Sequence, residues 1–247
     1  MSAPTVYLVS GANRGIGLGL VTSLAARDNV VVFAGARNPS SASDLKTLQA
    51  KYPGKVHILK LTSADVADNT AVAEEIKRVA GKLDVVIANA GIANFFGTIL
   101  NTPLDSMREH YDVNVVGPTL LFQSVWPLLE QSTKPEFVII SSIAGSIAGG
   151  ASLPAGILAY GASKAGANFL AMKLHSEHPE LVVADIHPGP VQTEMGAFSQ
   201  KEDDVLRTLA FITVSESVTG VLNLVDNAKR EEDGPKMIGY DGQVLPW

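Results

Sequence analysis

The 247-residue chain has 25 acidic and 19 basic side chains, and its formal net charge of −6 provides no basic field for a nucleic acid or an anionic membrane. It contains no cysteine, which excludes disulfides, thiol catalysis and cysteine-bound metal. With 46% hydrophobic residues, a chain of this length predicts one α/β domain over residues 1–247 with a buried parallel sheet.

The first residues, MSAPTVYLVSG, lack the basic segment and separate apolar segment of a secretory signal. Their apolar run belongs to the first predicted strand. No later stretch of the sequence is long and apolar enough to cross a bilayer. We therefore expect a soluble, cytoplasmic protein without a membrane partner.

The first strand leads through a glycine-rich turn into a helix in the segment TVYLVSGANRGIGLGL. Gly11, Gly15 and Gly17 allow a tight backbone turn that approaches a phosphate closely and aims a helix N-terminus at its charge. Such turns also form for purely local reasons, but here the preceding strand and the following helix are both present. The segment therefore predicts a site for the pyrophosphate of a dinucleotide.

Further apolar runs alternate with helical patterns along the chain, which indicates repeated βαβ units. We predict an α/β, single-domain Rossmann fold with a doubly wound, seven-stranded parallel sheet and helices on both faces. Its strands are placed at Val6–Ser10, Val30–Ala34, Val56–Lys60, Val85–Ala88, Phe137–Ser141, Val182–His187 and Met237–Tyr240. Ligands of such sheets bind beyond the carboxyl ends of the strands. One shared crevice is therefore predicted from the residues at or just after these ends, which are Gly11, Arg37, Asn89, Ser142 and Pro188.

The end of the second strand indicates which dinucleotide is bound. A carboxylate there would accept hydrogen bonds from a ribose diol and repel a 2′-phosphate. The sequence VFAGARNPS has no carboxylate at this point, whereas Arg37 can pair with phosphate oxygens and Arg14 of the glycine turn can add a second positive charge. Each arginine alone could be an ordinary exposed cation. Together they favour NADP(H) over NAD(H).

Tyr160 and Lys164 lie one helical turn apart in AYGASKAGANFLAMKLH, so both side chains leave the same face of a predicted helix. A phenol is a poor acid at neutral pH because its pKa is about 10, and a nearby ammonium group favours the phenolate. Tyr160 is thus a candidate general acid whose pKa is lowered by Lys164. If the spacing stood alone, the pair could equally decorate an amphipathic helix.

Taken together, these motifs resemble the classical short-chain dehydrogenase/reductase family over nearly the whole chain, from Val6 to Trp247. SGANRGIG resembles its TGxxxGxG turn, NAG its NNAG, and HPGPVQT its PGxVxT segment. Ala88 replaces the first asparagine of NNAG, and the segment between Ser142 and Tyr160 is longer than is common in the family. This longer segment and the GANRGIG spelling are similar to the carbonyl-reductase-like branch, including fungal ketoreductases of aromatic polyketide metabolism such as norsolorinic acid reductase.

The resemblance implies a catalytic tetrad of Asn114, Ser142, Tyr160 and Lys164. Tyr160 would pass its proton to the oxygen of a substrate carbonyl while the nicotinamide delivers hydride to the carbon, and Ser142 would hydrogen-bond the same oxygen. Lys164 would bind the nicotinamide ribose, and Asn114 would hold a water that links the lysine to solvent. Ser141 is the competing serine, but neighbouring strand residues face opposite sides, and the family pattern selects Ser142.

The resemblance also implies a set of residues that hold the cofactor. After the third strand, either Thr62 and Ser63 or Asp65 and Val66 would contact the adenine, and Asp65 could instead cap the next helix. Asn89 would hold the backbone near the adenosine ribose or be purely structural. We predict cofactor contacts from Gly11, Asn13, Arg14, Gly15, Ile16, Gly17, Arg37, Asp65, Asn89, Ala90, Gly91, Tyr160, Lys164, Pro188, Gly189, Val191 and Thr193.

The predicted function is an NADPH-dependent ketoreductase or carbonyl reductase acting on a small-molecule carbonyl substrate. Three loop segments, 93–98, 146–158 and 194–209, would recognise the substrate, with a lid at about 193–212. An apolar pocket for a hydrophobic or aromatic ketone or aldehyde is suggested by Phe95, Phe96, Leu153, Met195 and Phe198, which could equally be core or subunit-contact residues.

Two other functions stay open at this point: reduction of a C=N or activated C=C bond, and NADPH sensing without chemistry. The five histidines form no metal-ligand pattern, so no metal is expected. Members of the family often assemble through the helices that would carry Asn114 and Tyr160. We therefore expect a homodimer or homotetramer.

Overall fold

The computed structural model describes residues 3–247, in which eight strands form one sheet in the order β3-β2-β1-β4-β5-β6-β7-β8. Strands β1 to β7 are parallel, and β8 pairs antiparallel with β7. The strands are β1 (Thr5–Val9), β2 (Val30–Ala36), β3 (Val56–Lys60), β4 (Val85–Ala88), β5 (Glu136–Ile140), β6 (Val182–His187), β7 (Met237–Gly239) and β8 (Val244–Leu245). The strand order reverses between β1 and β4, which places the ligand crevice of a doubly wound sheet above their carboxyl ends.

Helices connect the parallel strands and cover both faces of the sheet. They are α1 (Gly15–Ala25), α2 (Ser43–Lys51), α3 (Val66–Ala80), α4 (Leu104–Tyr111), α5 (Gly117–Leu129), α6 (Leu158–Glu177), α7 (Glu194–Glu202), α8 (Asp204–Arg207) and α9 (Val214–Asp226). A π-helical turn, Asp112–Val116, joins α4 to α5. Within residues 3–247, none of the helices combines the length and apolar character needed to traverse a lipid bilayer.

Neighbouring strand residues supply two separate apolar layers because their side chains alternate between the faces of the sheet. Val9 packs in one layer with Leu20 and Leu24 of α1. Leu8 packs in the other layer with Leu129 of α5. Burial on both faces explains why the strands read as continuous apolar runs in the sequence.

One carboxyl group is buried at the amino end of the sheet, opposite the edge that carries the predicted site. Glu136 begins β5 and is 3% exposed, and its Oε1 has no hydrogen-bond partner within residues 3–247. Burial raises the pKa of Glu136 to about 8, Lys134 opposes the rise, and Asp226 adds to it. The side chain is therefore a neutral acid over most of the physiological pH range.

The fold class, the parallel order and the positions of seven strands are confirmed, and β8 is an addition to the predicted count. β8 has only two residues, of which Val244 is exposed, so it carries no apolar pattern. Ser10, Ser141 and Tyr240 lie just beyond the strands in which they were predicted. Each of these differences is one residue, so the strands still end at the edge of the sheet that forms the crevice.

Candidate functional site

The turn between β1 and α1 requires glycine at two points. Gly11 has a φ of +63°, and a Cβ atom at this residue would lie 2.9 Å from Cα of Ala90. A Cβ atom at Gly17 would lie 2.2 Å from the carbonyl oxygen of Gly11. Neither position has room for a side chain, so the turn packs directly against the end of β4.

The N-terminus of α1 is suited to an anion. This helix begins at Gly15, and in the described part of the chain the preceding residue, Arg14, makes no side-chain capping bond to it. The first N–H groups of a helix have no partner within the helix. Asn13 and Arg14 are exposed at the tip of the turn, whereas Ile16 packs against the core. The helix end and the side-chain-free backbone beside it fit a pyrophosphate.

The end of β4 braces this turn. The hydroxyl oxygen of Ser10 accepts hydrogen bonds from the backbone N–H groups of Asn89 and Ala90, both at 3.0 Å. The side-chain amide of Asn89 donates to the carbonyl oxygens of Ser10 and Gly11 at 2.9 and 3.2 Å. Asn89 therefore has a structural role, and its contact with an adenosine ribose stays a prediction.

The two arginines predicted to bind phosphate have different surroundings. Arg37 is exposed and directly follows β2. Arg14 forms an ion pair with Glu194, the first residue of α7, and both side chains are largely exposed. Ion pairs of this kind contribute about 0–1 kcal/mol. A phosphate group can therefore compete with Glu194 for Arg14.

The segment after β3 carries both alternatives for the adenine contact. The carboxylate of Asp65 caps α3 by accepting a hydrogen bond from the N–H of Asp68 at 2.8 Å. Thr62 donates its N–H to Oδ2 of Asp68 at 3.1 Å, and Ser63 lines a small cavity with Ala88 at the end of β4. The capping role of Asp65 is thus observed, whereas its adenine contact stays a prediction. The alternative contact from Thr62 and Ser63 also stays a prediction.

Three members of the predicted tetrad meet where β5 ends and α6 begins. Ser142 lies close enough to Tyr160 to lower the pKa of its phenol. The ammonium nitrogen of Lys164 lies 5.9 Å from the centroid of the Tyr160 ring and donates to the carbonyl oxygen of Ile140 at 2.7 Å. The helical spacing read from the sequence therefore brings both side chains to the carboxyl edge of the sheet.

The surroundings of Tyr160 change one expectation. Burial raises the pKa of its phenol above the ordinary value, and the nearby Ser142 opposes the rise. The predicted net lowering by Lys164 is wrong for this structure, because burial of the phenol raises its pKa by more than its neighbours lower it. A raised pKa keeps the phenol protonated at neutral pH, which is the form a proton donor needs.

Lys164 is an ionisable group in an enclosed position. It is 5% exposed, and burial lowers its pKa to about 8 while the carboxylate of Asp185 opposes the change. Gly91 lies beside it, and a Cβ atom at Gly91 would be in ordinary contact with Nζ of Lys164 at 3.6 Å but tight against Oδ1 of Asn114 at 3.1 Å. Strongly shifted ionisable groups in a crevice are typical of functional sites.

Asn114, the fourth member, fixes the loop after β4 to α6. It lies in the π-helical turn, a form of helix that is frequent at functional sites. Its side chain accepts from the N–H of Ile92 at 2.8 Å, donates to the carbonyl of Ile92 at 3.0 Å and donates to Oγ of Ser163 at 2.9 Å. Ser163 in turn donates to the carbonyl of Tyr160 at 2.7 Å. The predicted water at Asn114 stays a prediction.

The competing serine, Ser141, points away from Tyr160. It is hydrogen-bonded to the side chain of Asn168, one turn beyond Lys164 on α6. With its amide nitrogen facing Ser141, Asn168 also donates to the carbonyl of Lys164 at 3.0 Å and to Oδ2 of Asp185 at 3.2 Å. Only Ser142 shares the site with Tyr160, as the alternation of strand side chains predicts.

The segment after β6 closes the other side of the crevice. Gly189 has a φ of +83°, and a Cβ atom there would lie 2.9 Å from the ring of Tyr240. Pro188 accepts a hydrogen bond from Ser217, and Val191 pairs with Ile212. Thr193 caps α7 and lies beside Gly15, where a Cβ atom would come within 3.2 Å of its methyl group. The glycine turn and the start of the predicted lid are therefore in contact.

The three segments predicted to bind substrate are joined to each other. The N–H of Gly97 donates to the carbonyl of Gly156 at 2.8 Å, and the N–H of Gly156 donates to Oδ2 of Asp203 at 2.7 Å. Asp203 also caps α8 through its other carboxylate oxygen. The rings of Phe96 and Phe198 lie 5.8 Å apart, which links the loop after β4 to α7.

The surfaces near these segments are apolar. A groove of about 400 Å³ runs between residues 97–100 and 154–158. Leu153 and Phe198 are 39% and 37% exposed, whereas Phe95 packs its ring against Gly97. Phe96 and Phe198 are thus observed together, and their contact with a substrate stays a prediction.

Sequence reasoning missed four polar residues that support the site. Ser10 braces the glycine turn, Ser163 holds Asn114, Asp185 lies beside Lys164, and Asp203 joins two substrate segments. Two of them carry a signal in the sequence. Ser163 directly precedes Lys164 in a helix, and Asp185 interrupts the apolar run of β6.

Known proteins share this sequence pattern and this fold. The pattern of the family described as short chain dehydrogenase matches residues 5–204. The norsolorinic acid ketoreductase of Dothistroma septosporum is 38% identical over 255 residues, which cover 100% of this chain and 94% of the relative.

Two solved structures resemble the whole fold. The NADPH-bound carbonyl reductase from chicken fatty liver is 34% identical with a TM-score of 0.86, and the alignment covers 100% of both chains. The carbonyl reductase Sniffer of D. melanogaster is 26% identical with a TM-score of 0.87, again over 100% of both chains.

Proposed function

Because this chain belongs to the short chain dehydrogenase family, we propose that it is an NADPH-dependent ketoreductase with Tyr160 as its proton donor. The observation that carries the proposal is the position of the buried Lys164 ammonium, 5.9 Å from the centroid of the Tyr160 ring, at the sheet end that also holds Ser142. This group lies at the same edge of the sheet as the glycine turn. The NADPH-bound state of the chicken carbonyl reductase supports the choice of cofactor.

The side chains of the site suit reduction of a carbonyl. When bound, NADPH would supply the hydride. Tyr160 is protonated at neutral pH, so it can donate its proton to the oxygen of the substrate as negative charge develops there. Ser142 donates a hydrogen bond to the same oxygen, which stabilises the transition state more than the ground state. The charge of Lys164 favours loss of the proton from Tyr160.

Different residues around the crevice would bind different parts of the cofactor. The turn at Gly11, Gly15 and Gly17 and the N-terminus of α1 receive the pyrophosphate. Arg14 and Arg37 pair with the 2′-phosphate of the adenosine ribose. The segments at Asn89–Gly91 and Pro188–Thr193 line the crevice on either side.

Arg37→Ala tests the cofactor assignment. We expect the ratio of kcat/KM for NADPH over NADH to fall about 10-fold, because a charge-assisted hydrogen bond to phosphate contributes about 1.5–3 kcal/mol. The measurement is steady-state kinetics with both cofactors and one ketone. Lys51→Ala, which removes an exposed cation at the end of α2, is the matched control and keeps the ratio. An unchanged ratio in Arg37→Ala would contradict the phosphate contact.

The apolar segments support a hydrophobic or aromatic ketone or aldehyde as substrate. Phe96, Phe198 and the groove beside residues 97–100 offer contacts to a ring or an alkyl chain and no charged partner among the residues that line the groove. The test is consumption of NADPH with a panel of aromatic, aliphatic and charged carbonyl compounds, followed by product analysis by mass. Turnover confined to small charged carbonyls would refute the substrate class. Reduction of C=N or C=C bonds alone would refute the ketoreductase assignment.

Exposed apolar residues on α6, the end of α4 and the π-helical turn support the proposed homodimer or homotetramer. Phe169 is 68% exposed and Tyr111 53%, and Val116 and Met172 add to the same exposed set. Large exposed apolar side chains on adjacent elements mark interaction surfaces. We expect Phe169→Glu to lower the molar mass measured by light scattering to that of one chain. A wild-type protein with the mass of one chain would refute the assembly.

A further inference from the structure

The side of Lys164 that faces the sheet holds a carboxyl group that the proposed mechanism does not use. Asp185 lies in β6 between Ile139 of β5 and Met237 of β7 in the strand register. It is 1% exposed, and its Oδ1 has no hydrogen-bond partner in residues 3–247. A buried carboxylate without a full set of partners is costly unless a cation stands nearby.

The partners of Asp185 lie on the two elements that also hold Lys164. The amide of Asn168 on α6 hydrogen-bonds its carboxyl group, and Ser141, directly after β5, lowers the pKa of this group. Asn168 bonds the backbone carbonyl of Lys164 with the same amide. The carboxyl group is thus held in place from β5 and α6, with one oxygen left for a charge.

Lys164 is the cation that acts on this carboxyl group. Among the described residues, Asp185 is the charged group that influences Lys164, and Tyr160 is the titratable group on the same helix face. His187, two residues along β6, instead accepts a hydrogen bond from the N–H of Ile143, and the charge that raises its pKa is that of Asp241. Burial lowers the pKa of Lys164 to about 8 and raises that of Asp185 to about 7, while each group opposes the shift of the other.

We propose that Asp185 is the buried counter-ion of Lys164 and acts as a positioning residue for proton transfer at Tyr160. The inference rests on the proposed reductase function, because it assigns the carboxylate a role in keeping Lys164 charged. A charged Lys164 stabilises the phenolate that forms as the proton leaves Tyr160. Without the carboxylate of Asp185, Lys164 loses its proton at a lower pH. Above that pH, Lys164 no longer stabilises the Tyr160 phenolate.

Asp185→Asn tests the proposal, since the amide keeps the shape of the side chain and removes its charge. We expect the pKa of Lys164 to fall by about one unit, because both groups are buried and a neighbouring opposite charge shifts a pKa by about 1–3 units. The alkaline limb of the kcat profile should move to lower pH by the same amount. This gives about 5-fold lower kcat at pH 8 and a kcat near that of the wild type at pH 6.

Two readouts keep the proposal separate from the reductase function. The pKa of Lys164 is measured without cofactor from the ¹³Cε shift of labelled lysine, assigned by its loss in Lys164→Met. The kcat profile is measured with NADPH and a ketone. A wild type without reductase activity would refute the function, while a lowered Lys164 pKa in Asp185→Asn would still support the role of Asp185 as counter-ion.

Glu136→Gln is the matched control, because it also changes a buried carboxyl group of the sheet into an amide, at the opposite edge. It should leave the Lys164 pKa and the alkaline limb in place. An equal Lys164 pKa in Asp185→Asn and wild type would overturn the proposal, as would a loss of kcat that is uniform across pH. If the asparagine variant does not fold, Asp185→Ala removes the same charge and is measured in the same way.

Discussion

Tyr160→Phe should lower kcat for ketone reduction by about 10²- to 10⁴-fold, the usual contribution of a positioned general acid. The substitution removes the phenol oxygen that would donate the proton and leaves the ring beside Lys164. Binding of NADPH should persist, because the glycine turn and the arginines do not involve this hydroxyl. The measurements are single-turnover oxidation of NADPH and a fluorescence titration of cofactor binding.

Tyr52→Phe is the control for this experiment, since it removes a phenol at the end of α2, outside the site. It should keep the kcat of the wild type. A Tyr160→Phe enzyme that keeps more than about a tenth of the wild-type kcat would remove Tyr160 from the mechanism. Wild-type protein that binds NADPH and reduces no carbonyl compound would favour the sensor function instead.

Glu136→Gln should remove a pH dependence of stability of about 5 kcal/mol. The folded-state pKa of Glu136 is about 8 and the ordinary value is 4.5, and each pH unit between them is worth about 1.4 kcal/mol. Between these values the folded state holds a proton that the unfolded state has lost, so the free energy of unfolding falls as pH rises. The stabilisation is complete below pH 4.5 and is lost as pH passes through 8.

The experiment compares urea unfolding of wild type and Glu136→Gln at pH 5 and pH 8. The wild type should lose more stability between the two pH values than the glutamine variant does. Asp185 and His187 also titrate in this range, but they are common to both proteins and cancel in the difference. Glu130→Gln, at an exposed residue after α5, should behave as the wild type. Equal pH dependence in wild type and Glu136→Gln would show that the carboxyl group ionises freely.

The sequence was sufficient for the fold because its signals are local and repeated. Each parallel strand is a short apolar run, buried on both faces, and each is followed by a helical pattern. β8 escaped prediction because two residues at an edge have no period to detect. Ligands of a doubly wound sheet bind beyond the carboxyl ends of its strands. Gly11, Asn89 and Ser142 could therefore be assigned to one crevice from their positions after predicted strands, without knowing how the side chains pack.

The supporting contacts of the site could not be predicted, because they join residues far apart in the chain. The spacing in the sequence identified Tyr160 and Lys164. The surroundings of Lys164, however, include the carbonyl of Ile140 and the carboxylate of Asp185, which lie far away in the chain. The expected net lowering of the Tyr160 pKa was wrong because burial of the phenol raises this pKa. Burial depends on the whole fold, and it outweighed the single neighbour that the sequence suggested.

The carboxylate of Asp203 has a consequence for redesign of substrate preference. Its two oxygens hold α8 and the backbone of Gly156, and Gly156 is in turn bonded to Gly97. If the lid alone were replaced by that of a relative, the hydrogen bond from the Gly156 N–H to Asp203 would be lost. The Gly156 N–H would then have no partner. A chimera should therefore exchange segments 93–98, 146–158 and 194–209 together. This exchange would transfer substrate selectivity and keep the hydrogen bonds between the segments.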